Sequence, residues 1–188
     1  MSNNCADSIR VMQPLFQTAE GGSIPTSALQ LEIVKVDYKT AAMLNEKWHS
    51  RMPKIGMAGC CKPCFAAVCG GIYYAVAMWS RPVAANRIKG GEQCLELRRM
   101  AVSGDAPNNA ASRMLRVMKD IIRRERPDIV RLISYQDTEV HHGTIYKAAG
   151  WQAVLVSKYR AWTDANGRRP QKSVQSEAAK VRWEYALK

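Results

Sequence analysis

The chain of 188 residues has no run of eighteen or more apolar residues, which excludes a helix that spans a bilayer. Its N-terminal segment also lacks the basic start and the long apolar stretch of a secretory signal. We therefore expect a cytoplasmic protein without a membrane partner. In a reducing compartment its six cysteines would be thiols or metal ligands rather than disulfides.

Acidic residues are scarce, with 16 Asp+Glu against 28 Lys+Arg, and the formal net charge is +12. An excess of this size raises encounter rates with polyanions and supports contacts to phosphate groups. The charge therefore favours DNA or another polyanion as a partner, with a solvated basic surface as the alternative. The hydrophobic fraction of 47% is that of an ordinary globular domain with enough chain to bury a core.

The hydrophobic pattern predicts strands and helices that alternate along one domain. Strands are predicted at residues 29–36, 72–79, 94–102, 129–135 and 152–162, and helices at 38–48, 110–126 and 144–150. This order predicts a single α/β domain at residues 29–162, with a mixed central sheet and helices on both faces. Residues 1–28 are expected to form an N-terminal arm. Residues 163–188 are expected to form a basic tail whose end docks or becomes helical.

The helix at 110–126 has the strongest pattern, because its apolar residues recur at helical spacing and Asn108 or Asn109 can cap it. Four thiols precede the strand at 72–79 and raise the question of a zinc site. They are Cys60, Cys61, Cys64 and Cys69. A strong zinc signature has two separated cysteine pairs, and no second pair is present, so reduced thiols are the favoured reading.

Residues 134–151 concentrate reactive side chains, with two histidines, an acid, two tyrosines and a glycine turn after a short apolar run. A purely structural role rarely requires this combination of residues, and we therefore expect a functional site in this stretch. The late YKAAGW at 146–151 resembles the tyrosine-containing element of the GNAT acyltransferases. That superfamily also binds pyrophosphate with a glycine-rich turn at a helix N-terminus. The turn at 105–110, DAPNNA, has no glycine, includes a proline and adds an acid, which argues against acetyl-coenzyme A.

A narrower resemblance rests on four motifs in a fixed order. They are RRMAV at 98–102, APNN at 106–109 with Ser112, SYQDT at 134–138 and GTIY at 143–146. Together they resemble the phage Mom family, whose members modify DNA on a GNAT-like scaffold. The resemblance implies a transferase that attaches a carbamoylmethyl group to adenine N6 in DNA. Such a protein would protect phage DNA from restriction in the cytoplasm of a bacterial host.

The resemblance implies catalytic roles for Arg99, Asp137 and Tyr146, with His49 as an addition. Asp137 would accept a proton from an amine or hold a neighbouring group, and Tyr146 would donate to a leaving group. Arg99 would neutralise an anionic donor or a DNA phosphate. Each has a structural alternative: a turn acid, a packed aromatic ring and a surface strand residue. Arg98 competes with Arg99, because neighbours on a regular strand face opposite sides.

Basic residues along the chain are the predicted contacts to DNA phosphates: Arg51, Arg81, Arg87, Arg113, Arg116, Arg168 and Arg169. An enzyme that acts on adenine N6 needs an extruded or single-stranded base, and exposed tryptophans could stack on it. We assign no metal ligands, although a metal ion stays possible with His49 as the best candidate. Neighbours such as His141 and His142 rarely bind one ion together.

Two other functions stay open at this level. One is a conventional GNAT acetyltransferase that uses acetyl-coenzyme A on a small amine or a protein. The other is a non-catalytic DNA-binding or anti-restriction protein that kept the scaffold. The transferase function would also require a small-molecule group donor as a second partner.

Overall fold

A computed structural model describes residues 24–50, 61–83, 93–157 and 179–187. In these ranges the chain forms a mixed sheet with helices on both faces, as the sequence predicts, and the sheet has seven strands where five were predicted. The strands are β1 (Glu32–Val36), β2 (Cys64–Cys69), β3 (Ile72–Ser80), β4 (Cys94–Val102), β5 (Arg131–Asp137), β6 (Gln152–Ser157) and β7 (Lys180–Ala186). The helices are α1 (Tyr38–Trp48), α2 (Ala110–Glu125) and α3 (Thr144–Ala148), after a 3₁₀ turn at Ala28–Gln30.

The sheet has the order β1-β2-β3-β4-β5-β7-β6. Strands β1 to β4 form an antiparallel meander, and β5 then pairs with β4 in parallel. The last strand, β7, lies between β5 and β6 and is antiparallel to both. The parallel step needs a crossover connection, and α2 supplies it.

Helix α1 covers one face of the sheet. Asp37 caps its start, because the carboxylate accepts the N–H of Thr40 at 2.8 Å. Ala41 and Leu44 are buried against Val76 and Met78 of β3. The helix ends at Trp48, and His49 follows as its C-terminal cap. His49, one of the predicted catalytic residues, therefore lies at the end of the helix that covers this face.

Helices α2 and α3 cover the other face and form the larger core. The apolar side of α2 is buried as predicted, through Met114, Leu115, Met118 and Ile122. Asn109 is its N-cap, as expected from its position, but its side chain makes no capping hydrogen bond. Instead its backbone is left-handed, with φ of 68°, a conformation that asparagine tolerates better than most residues. None of the helices in the described ranges is long and apolar enough to cross a membrane.

Two parts of the sequence prediction are wrong. Within the cysteine-rich stretch, Cys64–Cys69 is the strand β2, which is missing from the strands that the sequence predicts. At the C-terminus, Lys180–Ala186 is the strand β7, so the sheet extends past the predicted boundary at residue 162. The expectation that this end becomes helical is therefore corrected. Its strand character was hidden because charged residues occupy one face of β7, where Arg182 and Glu184 pair with each other at 2.7 Å.

Candidate active site at the opening between β4 and β5

Strands β4 and β5 separate halfway along their length. Their paired residues run from Cys94 and Arg131 to Leu97 and Ser134. Beyond these pairs β4 continues to Val102 and β5 continues to Asp137. The two parallel strands therefore enclose an opening in the middle of the sheet, lined by the second halves of both. The four motifs of the sequence resemblance border this opening or the helices that flank it.

An irregularity in β4 turns Arg99 toward the α1 face. In the pairing with β3, Leu97 lies opposite Trp79, whereas Arg99 lies opposite Met78, so Arg98 is an extra residue. Trp79 belongs to the α2 core and Met78 to the α1 core. Because of this bulge, Leu97 and Arg99 point to opposite faces of the sheet, although they are two residues apart. The choice between Arg98 and Arg99 from the sequence assumed that side chains alternate regularly along the strand, and this assumption does not hold here.

Arg99 is a half-buried cation with few partners. Its Nη1 donates to the carbonyl oxygen of Arg98 at 2.6 Å, and its Nε has no hydrogen-bond acceptor in the described ranges. Burial lowers its pKa first and the charge of Arg98 lowers it further, while Cys61 and Glu96 act in the opposite direction. A guanidinium in this state is suited to an anionic ligand.

His49 and His141 join Arg99 in one electrostatic group. The pKa of His49 lies below its ordinary value, first because the ring is half-buried and then because of electrostatic interactions with Arg99 and His141. His49 is therefore neutral at neutral pH and can accept a proton. The sequence analysis placed His49 only as an addition and set His141 aside. Proximity in the fold, not spacing along the chain, brings the two imidazoles together.

Asp137 is the last residue of β5 and organises the turn that carries His141. Its Oδ1 accepts the N–H of Glu139 at 3.0 Å, and its carbonyl oxygen accepts the N–H of His141 at 3.1 Å. This is the turn-acid role that the sequence left as the alternative. The side chain lies on the α1 face, because Leu132 on the same strand faces the α2 core. Both a turn role and a role in the site are compatible with this position.

Tyr146 reaches the opening from the opposite face. Its ring is buried in the α2 core, stacked on Trp183 with centroids 5.2 Å apart and edge-on to Trp151 at 5.8 Å. Its hydroxyl shares a hydrogen bond of 2.8 Å with Ser134, the last β5 residue that pairs with β4. Burial raises the pKa of the Tyr146 hydroxyl, and the bond to Ser134 partly offsets this. The hydroxyl therefore stays protonated and can act as a donor.

A buried hydrogen-bond network holds the segment between Asp137 and Tyr146. Gln136 accepts the indole N–H of Trp183 at 2.7 Å and donates to the carbonyl oxygen of His141. Gly143 fits against both, since an added Cβ would lie 2.5 Å from the Trp183 ring and 2.6 Å from the Gln136 side-chain oxygen. The strand β7 thus fixes the loop that carries His141. The bond between Gln136 and Trp183 was not predictable from the sequence, because the residues before Trp183 have the polar, basic composition of a tail.

The predicted DNA contacts are spread over both sides of the sheet. Arg51, Arg87, Arg168 and Arg169 lie outside the described residues. Arg81 is exposed after β3, and Arg116 is exposed on α2. Arg113 is partly committed to the fold, because its Nε donates to the carbonyl oxygen of Leu31 at 3.3 Å. Trp151 and Trp183 are only 4% exposed and belong to the core, so they are not among the exposed tryptophans that could stack on a base.

The described cysteines do not form a metal centre. Cys61 and Cys64 are buried thiols, and Cys64 donates to the carbonyl oxygen of Cys61 at 3.2 Å. Cys60 lies outside the described ranges. Over the described residues no three histidine, cysteine or acidic side chains converge as metal ligands.

A cleft of about 260 Å³ lies between the N-termini of α2 and α3, lined in part by the turn that precedes α2. Several amides of its turn are already engaged. The N–H of Asp105 donates to the Ser103 hydroxyl, and the N–H of Ala106 donates to the Ser103 carbonyl oxygen. The N–H of Ala110 donates to the carbonyl oxygen of Pro107, which itself has no amide hydrogen. This turn does not fit the superfamily's pyrophosphate cradle.

Solved acetyltransferases share this fold at low sequence identity. The ribosomal-protein-S18-alanine N-acetyltransferase from Escherichia coli aligns with a TM-score of 0.57, 12% identity and coverage of 84% of this chain and 94% of that chain. An acetyltransferase from Bacillus subtilis in complex with CoA gives 0.55, 13%, 83% and 98%. A GNAT-family acetyltransferase from Streptococcus pneumoniae gives 0.56, 11%, 83% and 98%. The fold is therefore that of the GNAT acetyltransferases.

Comparison of the sequence with protein families assigns the chain to a narrower group than the fold does. No curated protein sequence matches the chain. The sequence model of the Mom protein family matches residues 30–186, which includes every described strand and helix from β1 to β7. The chain therefore belongs to the Mom protein family.

Proposed function

We propose that this protein is a DNA-modifying transferase that attaches a carbamoylmethyl-type group to adenine N6 and so protects phage DNA from restriction. The observation that carries the proposal is membership of the Mom family over residues 30–186. It is supported by the opening between β4 and β5, where Arg99 and His49 lie on one face and Tyr146 reaches Ser134 from the other. The net charge of +12 supports a polyanionic substrate.

We assign the group donor and the adenine to opposite faces of the sheet. The group donor would enter from the α2 and α3 side, and the adenine would enter from the α1 side. A bond would form between adenine N6 and the carbon of the transferred group while the bond from that carbon to its leaving group breaks. Neutral His49 would accept the proton lost from N6, with Asp137 as the alternative base. Tyr146 would donate its hydroxyl proton to the leaving group, and Arg99 would bind an anionic part of the donor or substrate.

Nucleoside analysis of host DNA tests this proposal. The full-length protein is expressed in a bacterium, and the digested DNA is compared by mass spectrometry with DNA from cells expressing Arg99→Gln. We expect a new adenine nucleoside whose mass increase equals one carbamoylmethyl group in place of hydrogen, and its loss in the variant. Unmodified DNA from cells that contain soluble, folded wild-type protein would reject the proposal.

A second candidate is a conventional N-acetyltransferase that uses acetyl-coenzyme A on a small amine or a protein. The observation that favours it is the cleft between α2 and α3, within the acetyltransferase fold. Calorimetric titration with acetyl-coenzyme A distinguishes it. Tight binding together with unmodified host DNA supports the acetyltransferase, whereas modified DNA without acetyl-coenzyme A binding supports the first proposal.

A further inference from the structure

Arg98 is the extra residue of the bulge in β4, and the sequence presents it as an alternative to Arg99. In the pairing with β3, Leu97 lies opposite Trp79, and the next paired residue is Arg99. Leu97 faces the α2 core, so alternation directs the following side chain, that of Arg98, to the α1 face. Arg99 lies opposite Met78 of the α1 core and therefore on that same face. The bulge thus brings both arginines to one side of the sheet.

The contacts around the bulge agree with this placement of Arg98. Glu96 lies between Leu95 and Leu97, which are in the α2 core, so its side chain projects from the α1 face. Nη1 of Arg98 lies 3.8 Å from Oε1 of Glu96, which puts these two side chains on one face. Nη1 of Arg99 donates to the carbonyl oxygen of Arg98 at 2.6 Å, and the charge of Arg98 acts on Arg99. The two guanidinium groups are therefore neighbours.

The charges of this pair are not balanced by the described residues. Glu96 is the carboxylate among them that acts on Arg99, and its Oε2 already accepts the N–H of Val83 at 3.0 Å. Two guanidinium groups and one carboxylate leave an excess of one positive charge. Both arginines are half-buried, and like charges repel more strongly where water is partly excluded. An anion with a single charge would balance this excess.

Both arginines also keep hydrogen-bond donors for such an anion. Among the described residues, the Nε of Arg99 has no acceptor. The ion pair of Arg98 with Glu96, at 3.8 Å, is longer than a hydrogen bond. A phosphodiester has one negative charge shared by two non-bridging oxygens, so each guanidinium group can bind one oxygen. The α1 face is the face assigned to the adenine, and a phosphate adjoins that base in the strand.

We infer that Arg98 and Arg99 together form one binding site for a phosphodiester of the DNA strand, beside the target adenine. The inference rests on the proposed function, because that function assigns the adenine to the α1 face. Glu96 holds Arg98 beside Arg99 and sets the net charge of the site to one. The site positions the strand and takes no part in proton transfer. An anionic group of the donor would have the same chemistry, and the experiments below separate the two sources.

The salt dependence of binding tests whether the full-length protein uses both arginines for one phosphate. The probe is a fluorescein-labelled single strand of thymidines with one central adenine, titrated by fluorescence anisotropy. One phosphate contact contributes about −0.7 to the slope of log K against log salt concentration. Arg98→Ala or Arg99→Ala removes the excess charge, so each variant, and also the double variant, should reduce the magnitude of the slope by about 0.7. Arg98→Lys keeps the charge and should keep the slope, as should Arg126→Ala, which removes a charge outside the opening.

Strands with one neutral linkage locate the phosphate. A methylphosphonate replaces a charged oxygen by a methyl group, and one strand is made for each of the two linkages that flank the adenine. At one of them, wild-type binding should weaken about 10-fold, as expected for the loss of a hydrogen bond between charged groups. The same linkage should leave binding by Arg98→Ala unchanged, because this variant no longer holds the phosphate.

Two results would overturn the inference. A reduction of about 1.4 in the double variant would assign the arginines to two separate phosphates. An unchanged slope in Arg98→Ala, with no effect of either neutral linkage on the wild type, would leave the anion to the donor. If Arg98→Ala does not fold, Arg98→Gln removes the charge and keeps a long polar side chain.

Nucleoside analysis of host DNA separates this inference from the proposed function. Modified adenine together with an unchanged slope in Arg98→Ala rejects only the shared phosphate site. A phosphate contact through both arginines without modified adenine rejects the transferase and leaves a DNA-binding site.

Discussion

At the scale of single residues, Tyr146 combines a ring fixed in the core with a hydroxyl at the opening. Tyr146→Phe removes the hydroxyl and keeps both aromatic contacts. We expect a loss of stability of about 1–3 kcal/mol, because the buried Ser134 hydroxyl loses its partner. We also expect DNA modification to fall about 10²- to 10⁴-fold if Tyr146 is the general acid. Urea unfolding and nucleoside analysis measure the two effects.

Ser134→Ala is the matched control for this change. It removes the same hydrogen bond and leaves the Tyr146 hydroxyl in place. The two variants should therefore lose similar stability, while Ser134→Ala keeps much more of the modification. Equal losses of modification in both would assign Tyr146 a packing role instead of an acid role.

His49 should make the free energy of unfolding depend on pH. Its pKa in the folded protein is below its ordinary value, mainly through burial. Between the folded pKa and the ordinary value near 6.5, the unfolded chain binds more protons than the folded protein. The free energy of unfolding should thus fall as the pH falls below about 6.5, and it should be regained as the pH rises. Urea unfolding of wild type and His49→Asn at pH 7.5 and pH 5.5 measures this, with a smaller difference expected in the variant. An identical pH dependence in both proteins would contradict the assignment to His49.

At the scale of elements, Gly143 links α3 to β7. Gly143→Ala would place a methyl group 2.5 Å from the Trp183 ring at a residue with φ of 73°. Overpacking costs about 1–3 kcal/mol and the positive φ adds about 1 kcal/mol. We expect a total loss of about 2–4 kcal/mol in urea unfolding.

Gly71→Ala is the control for the backbone cost alone. Gly71 has φ of 78°, and an added Cβ would meet nothing within 4 Å. We expect this variant to lose only about 1 kcal/mol. If both variants lose the same stability, the contact of Gly143 with Trp183 is not a tight one.

The elements also show where the sequence was sufficient. Helix α2 was predictable because its apolar stripe repeats with the helical period and faces one core. The strand β7 was not, because one of its faces carries the ion pair of Arg182 and Glu184 in place of apolar residues. The bulge at Arg98 was equally hidden, since only the pairing with β3 reveals an extra residue.

Which residues belong to the candidate site could be predicted from the sequence, but the face of the sheet on which each one lies could not. The motifs marked Arg99, Asp137 and Tyr146 as a group, and all three lie around the opening between β4 and β5. The sequence could not tell that Tyr146 approaches from the α2 face while Arg99 lies on the α1 face. It also set aside His141, because its nearness to His49 arises from the turn after β5.

At the scale of the whole molecule, the sheet separates two basic surfaces. Arg116 lies on α2, on the side proposed for the donor, and Arg99 lies on the opposite face. Short DNA that occupies the α1 face cannot use both. The chain's positive charge alone would draw DNA to either side.

The salt dependence of binding decides between the two surfaces. Each phosphate contact in single-stranded DNA contributes about −0.7 to the slope of log K against log salt concentration. We expect Arg99→Ala to reduce the magnitude of that slope by about 0.7, and Arg116→Ala to leave it unchanged. Arg126→Ala serves as the control, because Arg126 already pairs with Asp128 at 2.6 Å. The reverse pattern, with the slope changed only by Arg116→Ala, would place the DNA on the α2 side. In that case the acceptor and donor faces of the proposed function would have to be exchanged.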